Sequence, residues 1–332
     1  MRKRRLGQDG PVTSAIGIGA MSFSDFYGRT NEAASHAILE AALELGVTHI
    51  DTSNIYGMGR SETVIGTYLA AHPAARGQFQ IATKAALSRD ADGNRNFDNS
   101  AAHLEAELDK SLARMGVEQV DLFYIHRRDA ELPIEDATEN LARLVKSGKT
   151  RTIGFSEIAP SSLRRAAAVH PIAAVQSEYS LSTRAPELGL VQTCAELGTT
   201  LVAFSPVGRS LLTDNPLPDA AIPGLPFLAE NPRFMQPNLS ANLQITDGFR
   251  ALAAEMGTSA AALSIAWLLH QGDHVIPIPG TRSVGHFREL VAGADLSLSQ
   301  GDLDRIESVL PIGWAHGDRY SRGQWIGPER YC

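Results

Sequence analysis

Cysteine is scarce in this chain, which contains two cysteines among 332 residues. Cys194 and Cys332 provide no disulfide framework, and neither belongs to a C-x-x-C pair of the kind that binds metals. We therefore expect no metal site and a reducing, cytoplasmic compartment. Cys194 falls within a predicted helix, where we expect it to be an inert part of the core.

Long hydrophobic runs and an excess of positive charge are missing as well. No window approaches the roughly 18 consecutive apolar residues of a membrane span. The formal net charge of −7 gives no general attraction to nucleic acid or to anionic membranes. The only basic run, RKRR at residues 2–5, is not followed by the apolar segment of a signal peptide. We interpret it as a solvent-exposed, positively charged edge strand rather than a nuclear-localisation signal.

What the sequence does contain is a regular alternation of two kinds of segment. From residue 17 onward, short apolar runs alternate with longer amphipathic segments, which is typical of a parallel sheet covered by helices. The predicted strands are residues 16–21, 48–53, 78–86, 119–127, 150–157, 172–180, 199–207 and 274–280. The predicted helices are residues 31–46, 61–72, 100–116, 134–148, 159–170, 188–198, 245–257, 259–272, 283–294 and 299–310. Eight strand–helix units predict an α/β fold, a (β/α)8 TIM barrel that forms one domain over residues 1–332.

Three segments lie outside this repeat. The N-terminal residues 1–16, with QDGP at their centre, predict a β-hairpin that closes the bottom of the barrel. Residues 208–240 contain six prolines and little periodicity, so we expect a long functional loop at the C-terminal face. Residues 311–332 form a C-terminal tail after the last predicted helix.

Polar residues end several of the predicted strands, at the face where a parallel barrel places its active site. Asp51, Lys84 and His126 end successive strands, and Tyr56 follows the first of them. Taken singly, each has a structural explanation as a turn residue, a solvated strand end or part of the packing. Together they can deliver a proton to a carbonyl oxygen. In this interpretation Lys84 lowers the pKa of Tyr56, Asp51 keeps Lys84 charged, and His126 orients the oxygen.

A cofactor is needed because the chain has no G-x-S-x-G nucleophile motif and no metal cluster. GIGIGAM near the N-terminus is not a dinucleotide fingerprint, since Ser22 stands where the last glycine is required. PIPGTRS at residues 277–283 precedes a helix whose amide groups attract anions, and Arg282, His286 and Arg288 add positive charge. We interpret this cluster as a phosphate subsite; the alternative is a basic patch on the surface of the last barrel helix.

Seven sequence elements resemble those of one family, in the family's order. HIDTSNIYG is similar to its D-T-x-x-x-Y-G element, IATKAA to the strand with its lysine, and VDLFYIHR to the strand that ends in its histidine. The remaining four elements are GFSEIAP, AAVQSEYSL, AFSPVGRSLL and PIPGTRS. Over nearly its whole length the chain resembles the aldo-keto reductases.

This resemblance implies reversible, NADPH-dependent reduction of an aldehyde or ketone to the alcohol. It assigns proton donation to Tyr56, control of the pKa of that phenol to Lys84 and Asp51, and positioning of the substrate carbonyl to His126. The residues it assigns to the NADP cofactor are Ser156, Glu157 and Gln176 at the nicotinamide carboxamide, Phe204 on the ring, Ser205, Pro206, Val207, Gly208, Arg209 and Ser210 around the pyrophosphate, and Gly280, Thr281, Arg282, Ser283, His286 and Glu289 at the adenosine end.

The chain departs from the family pattern at three places. Ser156-Glu157 stands where the family commonly has Ser-Asn, Phe204 where it has tyrosine, and Leu290 where it has asparagine. The Ser-Glu pair and GAMSFSDFYG at residues 19–28 are similar to the bacterial and plant branch that reduces small aldehydes and ketones. A carboxylate can accept a hydrogen bond from the carboxamide NH2 but cannot donate one to its oxygen.

We expect the substrate to be a small aldehyde or ketone with an apolar or aromatic body, and we expect no nucleic-acid or membrane partner. The sequence does not determine the oligomeric state. The residues expected to line the substrate pocket are Met21, Phe23, Phe26, Tyr27 and Met58, with Trp314 or Trp325 from the tail. Two alternatives stay open: a nucleotide-sensing regulatory subunit with the same fold, and a phosphate-handling barrel isomerase or lyase, which would give Tyr56 and Lys84 no common task.

Overall fold

Eight parallel strands form the centre of the molecule in a computed structural model that describes residues 1–89 and 95–331. Each strand pairs in parallel with the next one along the chain. The strands are β1 (Gly17–Gly19), β2 (His49–Asp51), β3 (Gln80–Ala85), β4 (Val120–Ile125), β5 (Thr150–Ser156), β6 (Ala174–Glu178), β7 (Thr200–Phe204) and β8 (Val275–Pro277). The amide of Gly19 donates to the carbonyl of Pro279 at 2.9 Å, which joins the two ends of the sheet. The predicted (β/α)8 barrel is confirmed.

Among the described residues, helices surround the strands: ten of them lie at the predicted places, although Asn238–Glu255 begins early, and one, the short Pro226–Ala229, was not predicted. They are α1 (Glu32–Leu45), α2 (Arg60–Ala71), α3 (Ala101–Met115), α4 (Ile134–Lys146), α5 (Pro160–Ala167), α6 (Leu190–Leu197), the short α7 (Pro226–Ala229), α8 (Asn238–Glu255), α9 (Ala260–His270), α10 (Val284–Ala292) and α11 (Gln300–Val309). The ends follow local chemistry: the Asn31 side chain accepts from the amide of Ala34 before α1, and Gly46 ends that helix in the left-handed conformation.

Helix α9 is apolar because it is buried in the protein. No single helix of the described residues is long and apolar enough to span a bilayer, although α8 and α9 together meet the length and composition and are bent by 87° at their junction. Every residue of α9 from Ala260 to Leu269 is buried. Its apolar character is therefore explained by packing inside the protein.

The N-terminal hairpin closes the bottom of the barrel, as predicted. Lys3–Arg5 pairs antiparallel with Val12–Ser14, and Leu6 packs with side chains from inside the barrel such as Leu122 and Val202. The amide of Gly7 donates to the hydroxyl of Thr200 at the start of β7, at 2.9 Å. The hairpin therefore covers the N-terminal ends of the strands.

Arg4 corrects our interpretation of the basic run as fully solvent-exposed. Its side chain is buried, and its guanidinium donates to the carbonyl of Val275 and, at 2.8 Å, to that of Leu269. Burial lowers the pKa of Arg4 to about 10. Instead of a solvated charge, this arginine supplies hydrogen bonds to carbonyl groups at the end of α9 and in β8.

Two segments differ from the expected secondary structure. Helix α8 begins at Asn238, seven residues before its predicted start, and its first turns pack Leu239 and Leu243 against apolar side chains of the long loop. The long loop consequently ends at Pro237, and it contains α7 and short 3-10 helices. A second hairpin, Leu87–Arg89 with Arg95–Phe97, follows β3 and was not predicted.

Gly19 leaves no room for a side chain where the barrel closes. A Cβ added to Gly19 would lie 2.6 Å from the carbonyl oxygen of Ile278, whereas one added to Gly77 would meet nothing within 4 Å. We expect Gly19→Ala to destabilise the protein by about 1–3 kcal/mol, because backbone atoms must move apart. Gly77→Ala is the matched control and should leave the midpoint of urea unfolding almost unchanged. Equal midpoints for the two variants would contradict this account of the closure.

Candidate active site

A cavity of about 470 Å³ opens at the carboxyl ends of the strands. We call it the mouth cavity. Asp51 at the end of β2, Tyr56 in the loop that follows it, and His126 directly after β4 line its wall. Lys84 lies behind that wall and is 0% exposed. The structure therefore brings the four expected catalytic side chains to one place.

Lys84 and Asp51 form a fully buried ion pair. The Lys84 ammonium donates to Asp51 Oδ1 and, at 2.8 Å, to the carbonyl of Thr52. The other carboxylate oxygen of Asp51 accepts a hydrogen bond from the side-chain amide of Gln176 at 2.7 Å. Burial lowers the pKa of Lys84, and the charge of Asp51 opposes that effect. Gln176, assigned to the cofactor by resemblance, thus also holds Asp51.

The pKa of Tyr56 differs from the one we expected from sequence. Lys84 Nζ lies 5.1 Å from the centre of the Tyr56 ring, yet the pKa of Tyr56 is raised, chiefly by burial and then by the charge of Asp51. The ammonium is already paired with Asp51, so its attraction for a phenolate is weaker than the effect of the lost water, and the net shift is upward. Tyr56 is therefore a protonated acid at neutral pH.

His126 stands at right angles to Tyr56, with their ring centres 5.9 Å apart. Its Nδ1 lies 3.1 Å from the hydroxyl of Ser53, which is also 3.1 Å from the carbonyl of Lys84. Ser53 thus orients the imidazole and was missed by the sequence analysis, although it lies inside the HIDTSNIYG element. The Ser53 hydroxyl has one proton to donate. When that proton goes to the Lys84 carbonyl, Nδ1–H of His126 donates to Ser53; the neutral tautomer with its proton on Nε2 requires Ser53 to donate to Nδ1 instead.

Glu157 does not reach the mouth cavity, contrary to its expected place at the carboxamide. It is 1% exposed, and both of its carboxylate oxygens bind the guanidinium of Arg319 in the C-terminal tail. The amide of Glu178 also donates to it at 2.8 Å. Burial would raise the pKa of Glu157, but the charge and hydrogen bonds of Arg319 outweigh that effect and the pKa falls.

A further buried ion pair, between Arg209 and Glu178, lies beside the pair of Glu157 and Arg319. Arg209 donates to the two oxygens of Glu178 at 2.9 and 2.7 Å, and the guanidinium of Arg233 lies 3.9 Å from the same carboxylate. Arg209 still lines the mouth cavity. Glu178, Arg233 and Arg319 were missed by the sequence analysis. A charged residue at the end of the predicted strand β6 was a usable signal for Glu178, whereas Arg319 lies in a segment without periodicity.

The residues assigned to the pyrophosphate follow β7 in an unusual backbone conformation. Ser205, Arg209 and Ser210 have positive φ angles of 51°, 54° and 88°, as does Gly208 at 58°. Such angles are costly for residues with side chains and are concentrated at binding sites. Phe204, Ser205, Pro206, Val207, Arg209 and Ser210 line the mouth cavity; Gly208 is not part of its wall.

The far end of the same cavity holds the basic cluster. The residues that line the cavity at this end are Gly280, Thr281, Arg282, Ser283, His286, Glu289 and Leu290. Ser283 caps α10 by accepting from the amide of His286 at 3.4 Å. Arg282 donates to the carbonyl of Arg29 at 2.9 Å. Arg288 differs from our expectation: it is outside the cavity wall and pairs with Glu44 at 2.7 Å.

The expected substrate-pocket residues separate into two groups. Met21, Phe26 and Tyr27 line the mouth cavity. Phe23 does not, because its 3-10 helix turns the side chain into the core, where it is 1% exposed. Met58 is 86% exposed and also lies outside the wall. It stands at a left-handed turn that directs it towards solvent.

The tail contributes a different aromatic residue from those expected. Tyr320 lines the cavity, together with Phe227 from the long loop. Trp314 instead donates its indole N–H to the carbonyl of Leu181 at 2.8 Å. Trp325 packs edge-to-face on Tyr320 with ring centres 5.4 Å apart, so it supports the wall without being part of it. Ser156, by contrast, lines the cavity as expected.

Comparisons with known proteins agree with this geometry. Residues 15–311 match the Aldo/keto reductase family. An aldo-keto reductase of Schizosaccharomyces pombe, named with NADP(+), is 35% identical over 324 residues, which cover 96% of this chain and 94% of that protein. A probable aldo-keto reductase of Glycine max is 35% identical over 320 residues, covering 96% and 92% of the two chains.

Solved structures show the same fold. The glycerol dehydrogenase AKR11B4 of Gluconobacter oxydans superposes with a TM-score of 0.80 at 27% identity, covering 93% of this chain and 94% of that one. A family match over most of the chain, relatives of similar length and this likeness to a solved structure lead to one conclusion. The chain belongs to the aldo/keto reductase family.

Proposed function

We propose that this protein reduces aldehydes or ketones to alcohols with NADPH and catalyses the reverse oxidation by the same route. The observation that carries the proposal is a single cavity with two ends. One end presents the Asp51, Tyr56 and His126 side chains, and the other presents Arg282 and His286. When bound, NADPH supplies the hydride that the carbonyl carbon accepts.

The chain's own residues would supply and control the proton. Tyr56, whose pKa is raised by burial, keeps its proton until the carbonyl oxygen takes it. The adjacent Lys84 ammonium, fixed by Asp51, then stabilises the negative charge that develops on the phenol. His126 directs a hydrogen bond at the substrate oxygen and so fixes the carbonyl against Tyr56.

The other end of the cavity suits a phosphorylated nucleotide. Within residues 1–89 and 95–331, no carboxylate forms an ion pair with Arg282, which donates to the carbonyl of Arg29. An arginine without a counter-charge beside a helix N-terminus suits the adenosine 2′-phosphate, and the relative from Schizosaccharomyces pombe is named with NADP(+). At the nicotinamide end, Ser156 and Gln176 would hold the carboxamide without Glu157.

Replacing Tyr56 by phenylalanine tests the proposed acid. We expect Tyr56→Phe to lower kcat for aldehyde reduction by about 10²–10⁴-fold, because the proton donor is removed while the ring remains. The measurement is NADPH consumption at 340 nm, with NADPH affinity measured separately by fluorescence. Tyr68→Phe, which removes a phenol on α2 outside the cavity wall, is the control.

Two results would contradict this assignment. If the Tyr56→Phe variant stayed active, Tyr56 would not be the proton donor. NADPH binding by the unaltered protein without turnover of any aldehyde or ketone would instead favour the nucleotide-sensing alternative.

Replacing Arg282 tests the phosphate subsite. We expect Arg282→Met to raise the KM for NADPH about 10- to 100-fold while changing the KM for NADH little, because only NADPH carries the 2′-phosphate. Arg288→Met removes a nearby charge that lies outside the cavity wall and should leave both constants unchanged. If both cofactors lost affinity equally in Arg282→Met, this residue would not be the contact to the 2′-phosphate.

A further inference from the structure

Arg127 follows His126 directly and takes no part in the proposed proton transfer from Tyr56. Its half-buried side chain lines the mouth cavity together with Tyr56, His126 and Tyr320. One of its guanidinium nitrogens donates to the carbonyl of His126 at 2.7 Å and to the hydroxyl of Ser156 at 3.0 Å. Both acceptors are neutral, so these bonds orient Arg127 without balancing its charge.

The nearby carboxylates are engaged with other cations. Glu157 binds Arg319 through both oxygens, and Glu178 binds Arg209 in the same way. Asp51 is held by Lys84 and Gln176. In the part of the chain that the structure describes, no carboxylate lies within ion-pair distance of Arg127; its charge reaches Glu157 from further away and helps to lower the pKa of that carboxyl, which Arg319 already binds. Arg233 adds a further guanidinium beside Glu178, so positive charge is in excess at this end of the cavity.

Such an arrangement is costly unless a ligand compensates it. A half-buried guanidinium loses part of its hydration, and a carboxylate is the anion whose two oxygens match its planar donors. The stem of Arg127 is also restrained: a Cβ added to Gly327 of the tail would lie 3.1 Å from Arg127 Cδ. The tail therefore packs on the side chain and limits its movement away from the wall.

We propose that the carbonyl compound reduced at this site carries a carboxylate, and that Arg127 binds it. This inference rests on the proposed function. In the reaction, the C=O π bond is broken, a hydride from NADPH forms the new C–H bond, and the proton of Tyr56 forms the O–H bond, so NADPH is oxidised and the carboxylate is unchanged. Arg127 is thus a specificity-determining residue that holds the substrate by its charge.

Paired substrates test the proposal. The 2-, 3- and 4-carboxybenzaldehydes would be compared with their methyl esters, and succinic semialdehyde with its methyl ester, at saturating NADPH. We expect at least one acid to exceed its own ester in kcat/KM by about 10- to 100-fold, the range for a hydrogen-bonded charge pair. The difference should appear mainly in KM, because the carboxylate is bound equally before and during the reaction.

Two variants show whether Arg127 causes that preference. Arg127→Gln should remove the preference for the acid, so that kcat/KM for the acid falls to about that for its ester in the same variant, and Arg127→Lys should restore part of the preference. Arg165→Gln is the control, since Arg165 is exposed on α5 and pairs with Glu135. NADPH affinity is measured for each variant, because Arg127 also donates to Ser156.

The outcomes separate this inference from the proposed function. If every ester were reduced as well as its acid, or if Arg127→Gln lowered both rates alike, the carboxylate proposal would be overturned while carbonyl reduction stood. If neither acids nor esters were reduced by the unaltered protein, the proposed function would fail, and this inference with it.

Discussion

The buried ion pair of Lys84 and Asp51 is the interaction on which the mouth of the barrel depends. Two charges removed from water are stable only when each finds several partners. Here the ammonium also binds the Thr52 carbonyl, and the carboxylate also binds Gln176. These contacts join the ends of β2, β3 and β6 across the barrel. The position of Tyr56 beside the ammonium follows from this network, as does the requirement for a closed and well-packed barrel beneath it.

The parts of the structure that follow from periodicity and topology could be predicted from sequence. Parallel strands place their carboxyl ends on one face, so Asp51, Lys84 and His126 could be assigned to one site before any contact was known. The pKa of Tyr56 could not be predicted in the same way. Its direction depends on how much water the fold removes and on whether the neighbouring ammonium is already paired, and both are properties of packing.

Glu157 illustrates a different limit of sequence reasoning. Its neighbours in the chain resemble a carboxamide site, and the expectation of a cofactor contact was based on them. Its actual partner, Arg319, lies 162 residues away in a tail without periodicity. No local pattern connects the two. The contribution of Tyr320 to the cavity wall could not be predicted for the same reason. Arg319, which precedes it, anchors that part of the tail through its contact with the distant Glu157.

The charges along the mouth cavity suggest how one site can position two reactants. Arg282 lies at the end proposed for the adenosine phosphate, and Arg127 lies at the reacting end, directly after His126. Neither has a carboxylate within ion-pair distance among the described residues, whereas Lys84 is paired with Asp51. Anionic groups are therefore attracted to these two arginines. A cofactor held by its phosphate at Arg282 and a substrate held by its carboxylate at Arg127 would bring their uncharged reacting atoms together beside Tyr56. In this arrangement the position of Arg127, which the end of β4 fixes next to His126, determines how the carbonyl approaches Tyr56.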